Sequence, residues 1–430
     1  MKTMSTTSQM PKLSEPLTLG DLTVRNRNVM ASLTRNRSVP TTVPNDANLE
    51  YYTQRAQGGC GLILTEGTLI APQGTEWPNA PGIWSEEQAH AWKRITDSVH
   101  EAGALIFCQL WHVGRVAHTD MPEQKKAGKP VPGPSAIAAR GGKFRQLPGG
   151  PGYITPTAIE DPWTYVEEYR NAAKMAKLAG FDGVELHSAN GYLIHQFLDY
   201  TSNQRTDQWG GSIENRCRLG LECLKVLVEV WGPARVGIKV NPCGGYNDMG
   251  MPIPDTMTTF TYYLTEISAM KVAYVQLVRY LPIMDIPIPV PPSARQMEDG
   301  RQYMRGVPHD VLAVYGPLIK PPPASLAQHA EEQLRGPAMP KPAFDARNPT
   351  PTRLFLNGGL SPEEVEGLLD QGLIDGAVFG TLWICNPDLQ KRLEGGLAVN
   401  MKPDVKTFYA YQSDPREGYT TYPEAEGSKL

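Results

Sequence analysis

The chain has 430 residues, 40% of them apolar and 20% charged, with a net charge of −4 at neutral pH. That supplies core for one large unit or two ordinary domains, and length alone does not choose between them, because α/β barrels run past the usual domain size. No basic stripe for nucleic acid and no stretch of membrane-spanning length is present, and six scattered cysteines without a CxxC pair argue against a zinc site or a disulfide framework and for a reducing compartment.

The N-terminal "MKTMSTTSQMPKLSEP" lacks the apolar centre of a secretory signal and reads as a flexible tail over 1–12. "PLTLGDLTVRN" follows as a small hairpin turning at Gly20-Asp21, placed to plug one end of what comes next. Eight short β-rich apolar runs then recur: 28–33, 61–67, 104–111, 183–187, 235–240, 274–279, 353–358 and 376–383. Most are continuous rather than alternating, as expected of strands buried on both faces of a parallel sheet.

Helical patterns fall between them. One starts at an N-cap Ser85 with Gln88 three residues on and ends at Gly103. Another opens at Asp161-Pro162 and ends at Gly180. A third starts at Ser361 with Glu364 in the capping-box position. Eight strand–helix alternations predict an α/β fold, a (β/α)8 TIM barrel with an N-terminal hairpin, and residues 13–430 forming a single domain. Two Gly/Pro-rich stretches interrupt it. Residues 113–158, after strand three, are expected to cap the barrel mouth, and 282–352, after strand six, to be part loop. The chain ends in Ser428-Lys429-Leu430, a peroxisomal-type tripeptide, so cytoplasm and peroxisome both stand as locations.

Barrel enzymes place reactive groups at the C-terminal ends of their strands. Those ends carry Thr34, Glu66-Gly67, Gln109 to His112, His187 with Asn190, Lys239, Arg279, Asn357-Gly358-Gly359 and Gly380-Thr381. The set has no metal-ligand cluster, no nucleophile elbow and no GxGxxG after a strand. Amide, hydroxyl, imidazole and one or two cations remain, which suit a flat polar heterocycle and a carbonyl-bearing substrate.

The stretch "HSANGYLIHQFLDYTSNQRTDQWGGSIENR" (187–216), with "FCQLWHVGR" (107–115), "GPSA" (133–136) and "NPDLQKRL" (386–393), resembles the old yellow enzyme family of flavoprotein ene-reductases. The resemblance spans the chain except the tail and much of 290–350. It implies a barrel holding FMN at its mouth, reduced by NADPH or NADH, and an enone-type small-molecule substrate. The protein would be a monomer or homodimer without nucleic-acid or membrane partners. His187 and Asn190 correspond to the pair that binds the substrate carbonyl, and Tyr192 to the proton donor. Thr34, Gly67 and Gln109 correspond to flavin contacts, and Trp111, Phe408 and Tyr409 to aromatics beside flavin and substrate.

Two positions depart from the family pattern. Lys239 stands where arginine usually lies beside flavin N1, keeping the charge but losing the planar fork. Thr381 stands where arginine usually meets the FMN phosphate. Backbone N–H groups of Asn357, Gly358, Gly359, Gly380 and Thr381 then remain for the phosphate, with Arg279 or Lys320 as sources of charge. The segment 203–216 reads as architecture locked by buried ion pairs of Arg205, Asp207, Glu214 and Arg216. His112 and His195 read as structural. Two other functions stay open: an FMN-dependent isomerase or cyclase without net reduction, and an FMN-free barrel acting as a binding protein.

Overall fold

The computed structural model describes residues 10–40, 42–144, 146–285, 305–320, 352–410 and 413–426. The tail expected over 1–12 therefore falls outside them as far as residue 9, and so does most of 282–352, together with Ser428-Lys429-Leu430.

Eight parallel strands close on themselves: β1 (Asn28–Met30), β2 (Leu62–Leu64), β3 (Leu105–Trp111), β4 (Gly183–Ser188), β5 (Val236–Val240), β6 (Tyr274–Val278), β7 (Arg353–Asn357) and β8 (Gly376–Phe379). Each pairs with its successor, and β8 returns to β1 through Ala377↔Asn28, Val378↔Val29 and Phe379↔Met30. The main helices that follow the strands are α1 (Asp46–Gln57), α2 (Glu86–Glu101), α3 (Trp163–Leu178), α4 (Ile213–Trp231), α5 (Ile253–Ala269), α6 (Val311–Ile319), α7 (Pro362–Asp370) and α8 (Leu389–Glu394). This is the (β/α)8 barrel that the alternation predicts.

Local chemistry sets the boundaries. Ser85 and Gln88 form a full capping box at the start of α2. At α7 only half of the expected box exists: Ser361 Oγ accepts from the Glu364 N–H, but the Glu364 carboxylate turns away to Arg279. The eighth apolar run is strand only to Phe379. Thr381–Cys385 turn into a short helix, which buries Trp383 against the Asn28 side chain rather than in the sheet.

The hairpin pairs Leu17–Leu19 with Leu22–Val24, and Gly20 takes the left-handed conformation the turn needs (φ 60°). Leu17, Leu19 and Val24 pack with Val29, Leu62, Phe107, Tyr274 and Phe355, sealing the N-terminal end of the barrel. At the other end the 113–158 insertion packs Val113, Val116, Ala117 and Val131 around Trp111 and Tyr192. One end is thus plugged with hydrocarbon, and the mouth is roofed on one side. Among the described residues no helix is long and apolar enough to cross a membrane.

The 203–216 segment is locked differently from the expectation. Arg205 pairs with a half-exposed Asp207 at 2.5 Å and donates to the carbonyl of Pro134. Arg216 donates to the carbonyls of Leu198 and Gly211 and to Thr259 Oγ1. Arginine-to-carbonyl bonds, not buried ion pairs, hold the loop, and Glu214 is an exposed first-turn residue of α4.

Candidate active site

A cavity of about 470 Å³ opens at the C-terminal end of the barrel. Thr34, Gly67, Gln109, Trp111, His187, Asn190, Tyr192, Lys239, Asn357, Gly358, Gly359, Gly380, Thr381, Phe408 and Tyr409 all line it. Every residue expected from the sequence to touch cofactor or substrate therefore faces one space, except Lys320, offered as a source of charge. Its volume is in the range of sites for drug-sized ligands.

Each side chain is placed by the strand that carries it. His187 projects inward at the top of β4, directly across from Lys239 on β5 in the parallel register. Among the described residues its imidazole has no hydrogen-bond partner on Nδ1, although that atom is buried. Burial, with Lys239 and His195 nearby, pushes the His187 pKa well below the usual histidine range, so the ring is neutral. A neutral imidazole offers one N–H donor and one acceptor.

Asn190 sits just beyond β4 in the left-handed region (φ 58°), which asparagine tolerates better than most residues. Two partners hold it there. Asn247 Nδ2 donates to the Asn190 carbonyl at 3.0 Å, and Asn241 Nδ2 donates to the Asn190 side-chain oxygen at 3.1 Å. With its oxygen engaged, the Asn190 amide keeps its N–H₂ for a ligand. Tyr192 packs edge-on to both Trp111 and His187, with ring centroids 5.0 Å apart in each pair. Burial pushes the Tyr192 pKa well above 10, and Glu76, Tyr246, Tyr153 and Tyr409 push the same way. The side chain stays a phenol at neutral pH.

Beneath this trio lies a polar floor. Gln109 Nε2 donates to Glu185 at 2.7 Å and Tyr274 donates to the other Glu185 oxygen at 2.9 Å. Burial raises the Glu185 pKa and lowers that of Lys239, each opposed by the charge of the other. With its N–H₂ committed to Glu185, Gln109 keeps its carbonyl oxygen as an acceptor. Gly67 has a further reason to lack a side chain: a Cβ there would lie 2.6 Å from Trp111 Cε3.

The opposite pole is built from backbone. Gly358 (φ 121°) and Gly359 (φ 61°) both take conformations open mainly to glycine. The Asn357 side chain donates to the Val378 carbonyl at 2.8 Å and ties β7 to β8. Arg279 reaches this pole but is already engaged by the Glu364 carboxylate and by the carbonyls of Gly358 and Gly359. Lys320 does not reach it. That ammonium pairs with Asp375 at 2.9 Å, ahead of the first residue of β8 and so at the plugged end.

Several contributors escaped the sequence reading. Arg35 donates to the carbonyls of Phe408 and Gly418, Arg37 to those of Thr407 and Pro415, and Asn36 to that of Tyr409. This "RNR" after β1 fastens the C-terminal segment at the mouth, and a stretch of three polar residues was the signal for it. Trp77 stacks on Tyr409 with centroids 4.2 Å apart. Asn241 lies two residues past Lys239, on the same face, and period-two reading beyond the strand would have found it. His112 and His195 each accept a backbone N–H, from Gly114 and Gly191.

The fold and mouth define a (β/α)8 barrel with a polar ligand cavity, and comparison gives its class. The chain matches the model of the NADH:flavin oxidoreductase / NADH oxidase family over residues 12–308. It is 36% identical over 425 residues to the NADP-dependent oxidoreductase lnbE of Aspergillus flavus, covering 96% of each chain. It is 34% identical over 415 residues to a probable flavin mononucleotide-dependent alkene reductase of Leishmania infantum, covering 95% of this chain and 96% of the relative. The solved old yellow enzyme homologue of Zymomonas mobilis aligns at a TM-score of 0.75 and 30% identity, covering 96% of this chain and all of that one.

The chain belongs to the old yellow enzyme family of flavin-dependent NAD(P)H oxidoreductases. Its cofactor is FMN and its electron donor NAD(P)H. The donor set fits an isoalloxazine. The free Gln109 oxygen suits the N–H of a pyrimidine edge, the Lys239 ammonium suits an electron-rich N–C=O edge, and Thr34 offers a hydroxyl. The Gly358-Gly359 turn, Gly380 and Thr381 suit a phosphate through backbone N–H groups and one hydroxyl.

Proposed function

We propose that this enzyme reduces the C=C bond of α,β-unsaturated carbonyl compounds. When bound, FMN would supply the chemistry of hydride transfer between NAD(P)H and the β-carbon of the alkene. The protein's own residues polarise the substrate, hold the charge that develops and deliver the proton.

The observation that carries this reading is one cavity wall bearing two neutral donors and a protonated phenol. His187 and the Asn190 amide hydrogen-bond the substrate carbonyl, and those bonds strengthen as negative charge moves onto its oxygen. Both are fixed in advance, Asn190 by Asn241 and His187 by burial between Trp111 and Tyr192. Tyr192 gives its proton to the α-carbon, which general acid catalysis requires of a group protonated at working pH. Trp111, Trp77, Phe408 and Tyr409 provide the apolar walls.

Tyr192→Phe tests this directly. Anaerobic reduction of the flavin by NADPH should keep its wild-type rate, while reoxidation by a cyclic enone should slow by about 10²–10⁴-fold, the usual worth of a positioned acid. Equal slowing of both half-reactions would remove Tyr192 from the role.

A further inference from the structure

The loop from β2 to α2 folds back over the mouth and places a carboxylate behind the phenol. The Tyr192 hydroxyl lies 3.4 Å from Glu76 Oε2, a long contact of the kind that tightens in a substrate complex. The loop fixes Glu76 on both sides. Thr75 Oγ1 bonds the carbonyl and the N–H of Trp77, Trp77 stacks on Tyr409, and a Cβ at Gly74 would lie 2.5 Å from the His112 ring.

Glu76 is less covered than Tyr192. Tyr192 is 7% exposed, whereas Glu76 is half-buried at the rim. It is not part of the cavity lining. The groups that face the pair are Tyr153 from the insertion, which senses the charge of Glu76, and Tyr246 and Tyr409, which with Tyr153 surround Tyr192. Among the described residues no cation pairs with Glu76. Its carboxyl is pushed up to about 7 by burial, opposed only by hydrogen bonds from Tyr192 and Trp77.

We propose that Glu76 reloads Tyr192, so that the two side chains form a relay carrying a proton from solvent to the α-carbon of the substrate. This rests on the reading of Tyr192 as proton donor. The balance is simple. The Tyr192 O–H bond breaks as the α-carbon C–H bond forms, leaving a tyrosinate. The Glu76 O–H bond then breaks as the Tyr192 O–H bond reforms, and the carboxylate takes a proton from water at the rim. The two electrons come from NAD(P)H through the flavin. Glu76 touches neither substrate nor cofactor and acts only through Tyr192.

The sign of the pH effect follows. The relay is complete while Glu76 is protonated and fails above about pH 7. An ionised Glu76 also opposes the tyrosinate that must form.

The test is reoxidation of the reduced holoenzyme by a cyclic enone between pH 6 and 8 in the wild type, Glu76→Gln and Tyr192→Phe. Wild-type reoxidation should slow across that range with a bend near pH 7. Glu76→Gln should be roughly tenfold slower at pH 6 and flat, a modest share of the worth of a general acid. FMN and phenol affinities, which do not use the relay, should stay at wild-type values. In infrared difference spectra of wild type minus Glu76→Gln, the carbonyl stretch of a neutral carboxyl should be present at pH 6 and lost at pH 8. If the glutamine variant does not fold, Glu76→Ala should be slow and imidazole buffer should restore it in proportion to concentration.

A wild-type bend retained in Glu76→Gln, a carboxyl ionised at both pH values, or no rescue by imidazole overturns the relay. If Tyr192→Phe is slow while Glu76→Gln behaves as wild type, only the relay falls. If Tyr192→Phe reoxidises normally, the assignment of Tyr192 falls with it.

Discussion

Removing the carbonyl-binding donors one at a time measures the wall on which the proposed reaction depends. His187 is neutral, so His187→Ala deletes one neutral N–H donor and leaves the Asn190 amide, still oriented by Asn241, in place. A hydrogen bond to a charged oxygen is worth about 1.5–3 kcal/mol, or roughly 10- to 150-fold in affinity. A phenol bound over the flavin as its anion should therefore lose about that factor in His187→Ala and again in Asn190→Ala. The double variant should abolish detectable binding. The assay is titration with a phenol, read by its charge-transfer band, with FMN retention followed in the same cuvette. Because burial holds the His187 pKa well below its usual value, the wild-type Kd should show no inflection from histidine between pH 6 and 8. Unchanged phenol affinity in the double variant with FMN still bound would refute the assignment. So would an inflection near 6.5 that vanishes with His187→Ala, because the imidazole would then be charged where neutrality is required.

At the phosphate pole, Thr381→Arg should tighten FMN binding, and Arg279→Ala should weaken it if that guanidinium shares itself between Glu364 and the phosphate; equilibrium dialysis of apoenzyme decides, and no change in either places the phosphate elsewhere. Gly67→Ala forces a Cβ within 2.6 Å of Trp111, so the indole must shift, and phenol binding should weaken, as titration would show. Leu19→Ala removes a fully buried side chain from the plug and should cost about 2–5 kcal/mol in urea unfolding without changing FMN affinity.

The fold was legible because a parallel barrel writes itself as continuous apolar runs, and all eight were visible. Their ends were less so. "GAVFGTLW" reads as one apolar stretch, but Gly380 turns the chain and Trp383 finds its partner in Asn28 through the indole N–H, a contact some 350 residues distant in sequence. Capping was half legible for the same reason: Ser361 obeys its local rule, whereas Glu364 is drawn away by Arg279, the residue just past the end of β6.

The site shows the same division between local and tertiary information. His187, Asn190 and Tyr192 lie within six residues, so one strand end announces them. Asn241 and Glu76 bear on how two of them behave, yet each comes from a different strand–helix connection; Asn241 is signalled only by its period-two spacing from Lys239, and Glu76 has no local signature. Asn241 fixes which end of the Asn190 amide faces the cavity, and Glu76 lies against the Tyr192 hydroxyl. A sequence displays the groups that meet a ligand because the barrel gathers them at strand ends. It hides the groups that set their orientation and protonation, because those are defined only by which loops the closed barrel brings together. Substitutions at Asn241 should accordingly act on substrate affinity through Asn190 while leaving FMN in place, and loss of FMN from Asn241→Ala would show that it supports the cofactor instead.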